Sequence, residues 1–130
     1  MQHKVLLVDD DEDFVKAMTT VLDLAGYAVL AAESGVEGVA KARSEKPDII
    51  VLDVTMESAG AGFKVARSLR TDQATQAIPI IMLTAINKEE ASLRYGPDED
   101  WNPVDAFLDK PVTGDAVVAE IQRILPPRAG

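Results

Sequence analysis

The sequence predicts a doubly wound α/β domain, and three observations carry that prediction. Short apolar runs alternate with longer stretches of helical spacing along the 130 residues. The runs Ile49-Ile50-Val51-Leu52 and Ile80-Ile81-Met82-Leu83 are continuously apolar, as strands covered on both faces are. Strands that alternate with helices require right-handed crossovers, and hence a mainly parallel sheet with helices on both sides.

Each element has its own signal. Val5-Leu6-Leu7-Val8 is the first strand. Phe14, Met18, Val21, Leu22 and Ala25 then recur at helical spacing, and Gly26 stands where that helix should stop. Tyr27 to Ala32 reads as the second strand. Ser34 and Glu37 have capping-box spacing and open a second helix through Val36, Val39, Ala40 and Arg43, closed before Pro47. Asp48 to Asp53 is the third strand; Glu57 to Gly62 is a glycine-bearing loop before a third helix with Phe63, Ala66 and Leu69 on one face. Pro79 introduces the fourth strand, Ile80 to Thr84, and Asn87 with Glu90 opens a fourth helix that cannot run far past Gly96-Pro97. Ala106 to Asp109 is a short fifth strand, and Thr113 caps a last helix whose inner stripe is Val117, Ile121, Ile124 and Leu125. This (βα)5 alternation predicts a three-layer sandwich around a parallel five-stranded sheet in the flavodoxin-like order 2-1-3-4-5, with its switch point between strands one and three. Residues 1–125 form the domain, and 126–130 a C-terminal tail or the start of a linker.

Composition bounds the function. A hydrophobic fraction of 47% suffices for one core. With no Cys there is neither a disulfide framework nor a thiolate metal site, which suits a reducing cytosol. No apolar run approaches the roughly 18 residues of a membrane span, and Met1-Gln2-His3-Lys4 does not open a signal peptide. A cytoplasmic protein without a membrane partner is expected. The net charge of -9 argues against direct contact with nucleic acid, whose phosphates are neutralised by Lys and Arg. His3, the single histidine, is expected at the surface and excludes a phosphohistidine relay within the chain.

Chemistry concentrates where the strands end. The first strand runs into Asp9-Asp10-Asp11, the third into Asp53, the fourth into Thr84, and the fifth through Asp109 to Lys110-Pro111. Ligands of open parallel sheets bind outside the carboxyl ends of the strands, so these residues should converge although they are far apart in sequence. Acids, a lone carboxylate, a hydroxyl and an amine make one phosphate-handling set. Asp11, Glu12 and Asp13 read instead as helix N-terminal acids, favoured there by the macrodipole.

Leu7-Val8-Asp9-Asp10, Leu52-Asp53, Leu83-Thr84-Ala85 and Lys110-Pro111, in this order over essentially the whole chain, resemble the receiver domain of two-component response regulators of the chemotaxis-regulator kind. The resemblance implies that Asp53 takes a phosphoryl group from a histidine kinase or phosphotransfer protein. It implies Mg2+ or Mn2+ held by Asp9, Asp10, Asp53 and the main-chain carbonyl of Thr55. It also gives Thr84, Lys110 and the amides of Thr55 and Ala85 to the phosphoryl oxygens, and makes Thr84 and Phe107 a switch. Hard oxygen ligands suit such a cation, and phosphoryl transfer rests mainly on positioning and electrostatics. Lys110 adds a flexible point charge. Pro111 matches the family's cis peptide, which proline makes inexpensive. The implied role is signalling, with only Mg-dependent self-phosphorylation and dephosphorylation, through a downstream protein target on the surface of the fourth helix, fifth strand and last helix. A phosphorylation-dependent homodimer is left open.

The chain departs from the family pattern in three places. The segment from Thr55 to Gly62 lacks the usual proline and is about one residue longer. A long acidic segment, Tyr95 to Asp105, carries Trp101 before the fifth strand. Phe107 lacks the hydroxyl a tyrosine would have. Two other readings were weighed: a phosphorylation-independent pseudo-receiver, which usually loses an acid, the Thr or the Lys, and a haloacid-dehalogenase-like phosphatase, whose motif should follow the first strand. A single-domain regulator acting by protein contact is expected; a receiver cut from a longer protein, with a linker from Pro126, is the alternative.

Overall fold

The computed structural model describes residues 3–53, 61–84, 105–109 and 112–125, with the side chains of residues 61–63, 84 and 109 left out. The elements are β1 (Lys4–Val8), α1 (Glu12–Leu24), β2 (Ala28–Ala32), α2 (Gly35–Glu45), β3 (Ile49–Asp53), α3 (Ala61–Thr71), β4 (Ile80–Thr84), β5 (Ala106–Asp109) and α4 (Gly114–Ile124). All strand pairs are parallel, in the order β2-β1-β3-β4-β5 that the sequence predicts. The helix expected from Asn87 lies outside the described residues.

Period-two alternation sorts the strand residues into two cores. Leu6, Val8, Ile50, Leu52, Ile80 and Met82 face Ala42 of α2 and Val65, Ala66 and Leu69 of α3. Val5, Leu7, Ile49, Val51, Ile81 and Leu83 face Met18 and Leu22 of α1 and Val117 and Ile121 of α4. Both faces are therefore covered, which is why the central strands read as unbroken apolar runs. Gly38 lets α2 approach β1: a Cβ there would sit 2.9 Å from both γ-carbons of Val8.

Local chemistry sets the helix ends. Asp11 caps α1 by accepting from the Phe14 amide. At the other end the amide of Gly26 bonds the Asp23 carbonyl and that of Tyr27 the Leu22 carbonyl, both at 3.0 Å. This is a Schellman closure, with Gly26 at φ 96°. Ser34 caps α2 through the Glu37 amide, but the Glu37 carboxylate bonds the amide of Glu33, one residue ahead of the capping-box partner. Thr113 caps α4 through the Ala116 amide.

Several expectations are corrected. Helix α3 already contains Ala61 and Gly62, which the sequence placed in a loop. Strands β2 and β3 begin one residue later than expected, at Ala28 and Ile49. Asp48, just ahead of the strand, meets Lys4 twice: its amide donates to the Lys4 carbonyl at 2.8 Å and its carboxylate accepts the Lys4 amide at 2.7 Å. His3 is not plain surface: its side chain is 14% exposed, with Nδ1 3.7 Å from Asp48.

Polar side chains tie the layers together. Arg43 of α2 pairs with Asp72, just past α3. Strand β2 is one edge of the sheet, and Lys41 of α2 donates to its Ala31 carbonyl while pairing with Glu37 at 3.1 Å. No described helix is long and apolar enough to cross a membrane.

Candidate functional site

Strands β1 and β3 are neighbours with Val8 opposite Leu52, so Asp9 and Asp53, next along each strand, emerge side by side at the switch point. Asp53 ends β3 and is 4% exposed; Asp9 follows β1 and is 3% exposed. The Asp9 amide extends the β1–β2 ladder to the Ala32 carbonyl at 3.0 Å. Its carboxylate accepts the Asp11 amide at 3.0 Å, a local turn bond that fixes the side chain. Asp10, between them, is exposed.

Carboxylate oxygens of Asp9, Asp10 and Asp53 all lie within 4.8 Å of one another. Packing three acids this closely is unfavourable unless something compensates them. The donor set, three hard anionic oxygens, fits a divalent cation. At Mg–O distances near 2.1 Å, octahedral ligand oxygens lie about 3.0 Å or 4.2 Å apart, so only a small contraction separates the trio from a ligand set. A cavity of about 300 Å³, bordered by Asp9, Glu12 and Lys16, opens on the β2 side.

The other expected residues distribute as follows. Thr84 ends β4, and its backbone pairs in register with Asp109, the residue before Lys110. Phe107 lies on β5 opposite Met82 and packs against the core on the α2–α3 side. Thr55, Ala85, Lys110, Pro111 and Trp101 lie outside the described residues. Sequence reasoning missed Glu12 and Lys16 as neighbours of the cavity, because an acid and a lysine four residues apart at the start of a helix look like any solvated face.

The order of the sheet defines a flavodoxin-like α/β domain, and the acid trio stands at its switch point. The sequence matches the response regulator receiver domain over residues 5–122, and the chain belongs to that family, the receivers of two-component systems. Among its relatives is protein PilH of Pseudomonas aeruginosa, 34% identical over 94% of this chain and 97% of the relative. The alkaline phosphatase synthesis transcriptional regulatory protein PhoP of Bacillus subtilis is 37% identical over 96% of this chain, which spans only 49% of that protein. The chemotaxis response regulator CheY4 of Vibrio cholerae has a similar structure, with a TM-score of 0.80 and 30% identity over 96% of this chain and 100% of the other.

Proposed function

We propose that this receiver takes a phosphoryl group onto Asp53 from the phosphohistidine of a kinase or phosphotransfer protein and thereby switches a protein-contact surface. The observation that supports it most is the acid trio: Asp9, Asp10 and Asp53 share one small volume at the switch point. A carboxylate oxygen of Asp53 attacks phosphorus, the P–N bond breaks, and its electron pair returns to the imidazole, which takes up a proton. Asp9, Asp10, Asp53 and the Thr55 carbonyl would hold Mg2+, which would supply positive charge to the phosphoryl oxygens. Asp9, held by the Asp11 amide, keeps the ligand set in place, and Asp53 is presented at a strand end that cannot tilt. Thr84 and Lys110, with the amides of Thr55 and Ala85, bind the other phosphoryl oxygens.

Movement of Thr84 toward the phosphoryl group makes room for an inward Phe107, which carries the change to the surface of β5, α4 and the segment from Asn87. Acetyl phosphate with Mg2+ tests the reading. One phosphoryl adduct, hydroxylamine-sensitive and mapped to Asp53, is expected; an adduct elsewhere, or none while beryllofluoride also fails to bind, overturns it.

A further inference from the structure

We propose that Arg70 and Asp105 form a clasp that sets the register of β5 and so positions the phosphoryl-reading residues at its far end; for Thr84 and Lys110 this rests on the reading above.

Strand β5 has four residues and, among the described residues, stands at the edge of the sheet and pairs with β4 alone. Phe107 faces one core and Ala106 and Leu108 the other. A slip of two residues preserves that facing but sets Asp105 or Asp109 opposite Met82 in place of Phe107, so one aromatic carries the whole apolar specification of this short strand. Asp105, immediately before the strand, adds a polar lock to it. Its amide donates to the Ile80 carbonyl at 2.8 Å. Its Oδ2 accepts from the Ile80 amide at 2.8 Å and from Arg70 Nη2 at 2.6 Å. One residue of β4 is thus held at both backbone groups, with the carboxylate acting as one more rung of the ladder.

Arg70 in turn anchors the acid. Its Nη1 donates to the carbonyls of Gln76 at 2.9 Å and Ile78 at 2.6 Å, so one guanidinium joins the end of α3, the turn into β4 and the start of β5. The side chain is 17% exposed, and a planar fork is the group that can serve three acceptors in fixed directions. All of this lies at the end of β4 and β5 opposite the acid trio.

The consequence reaches the other end through the strand. Thr84 is in register with Asp109, and Lys110 follows. A slip of two residues displaces that end by about 6.6 Å, beyond the reach of a hydrogen bond. The trio on β1 and β3 does not depend on β5. Arg70 and Asp105 are therefore positioning residues for phosphoryl recognition and not for cation binding.

The test compares Arg70→Met, Asp105→Ala, their double variant and Lys110→Ala, each well below its melting temperature. Arg70→Met and Asp105→Ala should keep the Mg2+ dissociation constant within about twofold of the parent, yet weaken beryllofluoride binding at saturating Mg2+ by at least about tenfold, since a misplacement of only 1 Å can cost on the order of a hundredfold. The double variant should be no worse than the weaker single. General destabilisation would not split the two affinities. Met82–Phe107 cross-strand contacts, read by NMR, should be lost in Arg70→Met, and their retention overturns the clasp whatever Lys110 does. Parental beryllofluoride affinity in Arg70→Met beside a loss in Lys110→Ala overturns the clasp and leaves the site reading standing. Parental affinity in Lys110→Ala counts against the site reading, and the contacts then decide the clasp alone. If Arg70→Met does not fold, Arg70→Lys, which keeps the charge without the fork, carries the same comparison.

Discussion

Replacing Asp53 by Asn should make the cation-free domain more stable while ending its chemistry. The substitution keeps shape and removes one charge from a group whose carboxylate oxygens lie within 4.8 Å of one another. At that separation each repulsive pair is worth about 0.9 kcal/mol in water and about 3.5 kcal/mol at an effective dielectric constant of 20. Asp53 makes two such pairs. The lower figure governs the pair with exposed Asp10 and is a floor for the pair with buried Asp9, giving at least about 2 kcal/mol of relief, reduced by roughly 1 kcal/mol because an amide accepts hydrogen bonds less well than a carboxylate. The separation is shorter than the Debye length of about 10 Å at 0.1 M salt, so moderate ionic strength does not erase the effect. With a urea m-value of about 1.5 kcal/mol/M, the midpoint of Asp53→Asn should rise by at least about 0.7 M without Mg2+. Adding Mg2+ at ten times its dissociation constant should stabilise the parent by about 1.4 kcal/mol and the variant much less, so the gap narrows. Urea melts with and without Mg2+, beside acetyl-phosphate labelling, read all three quantities. An Asn variant less stable than the parent without Mg2+, or one with the parent's full Mg2+ gain, would refute the trio as a site of mutual repulsion relieved by a cation.

Asp10→Ala should weaken Mg2+ binding and phosphorylation more than Asp11→Ala, because Asp11 is engaged in capping α1; the latter should instead lose about 1 kcal/mol of stability, and Mg2+ titration with melts of both separates the roles. Gly38→Ala gains about 1 kcal/mol of helix propensity but drives a methyl into Val8, where overpacking costs about 1–3 kcal/mol; a lower urea midpoint is expected, and a higher one would show that α2 can shift outward. The Asp72 carboxyl is held below the usual range, first by the Ala74 amide and then by Arg43. A depressed carboxylate contributes stability above its unfolded value and loses it as pH falls through the folded one. Asp72→Asn should therefore be less stable than the parent at pH 7, with the difference shrinking as pH falls below about 4 and gone only below the depressed folded value, as paired melts across that range would show.

Much of this was legible because each signal is local. Apolar runs ending in polar residues marked four of the five strands, and Ser34, Thr113 and Gly26 marked helix ends, since caps and left-handed closures are written within a few neighbouring residues. The acid trio was legible for a different reason: once strand order is known, strand ends are adjacent, and Asp9, Asp10 and Asp53 follow. What sequence reasoning missed is polar and non-local. Arg70 and Asp105 are 35 residues apart on different elements, and nothing in either segment announces the other. The same holds for Asp48, whose carboxylate takes the amide of Lys4, 44 residues away, just ahead of a strand that begins one residue later than expected. Gly62 misled in the other direction, because a glycine beside a loop reads as part of it even when the first helical turn already includes it.

Strand β2 carries a consequence for the protein's behaviour at high concentration. Its sequence, Ala28-Val29-Leu30-Ala31-Ala32, is apolar, uncharged and free of proline, the composition that lets an open edge recruit a strand from a neighbouring molecule. The Ala32 carbonyl is spent on Asp9, so the Ala31 carbonyl points to the open side, and Lys41 sits on it. Charge repulsion between copies at -9 is weakened by salt, whereas an ammonium laid across the open carbonyl obstructs strand addition at the point of contact. Resistance to self-templated aggregation in concentrated, salty solution therefore depends more on this one lysine than on the acidity of the whole chain.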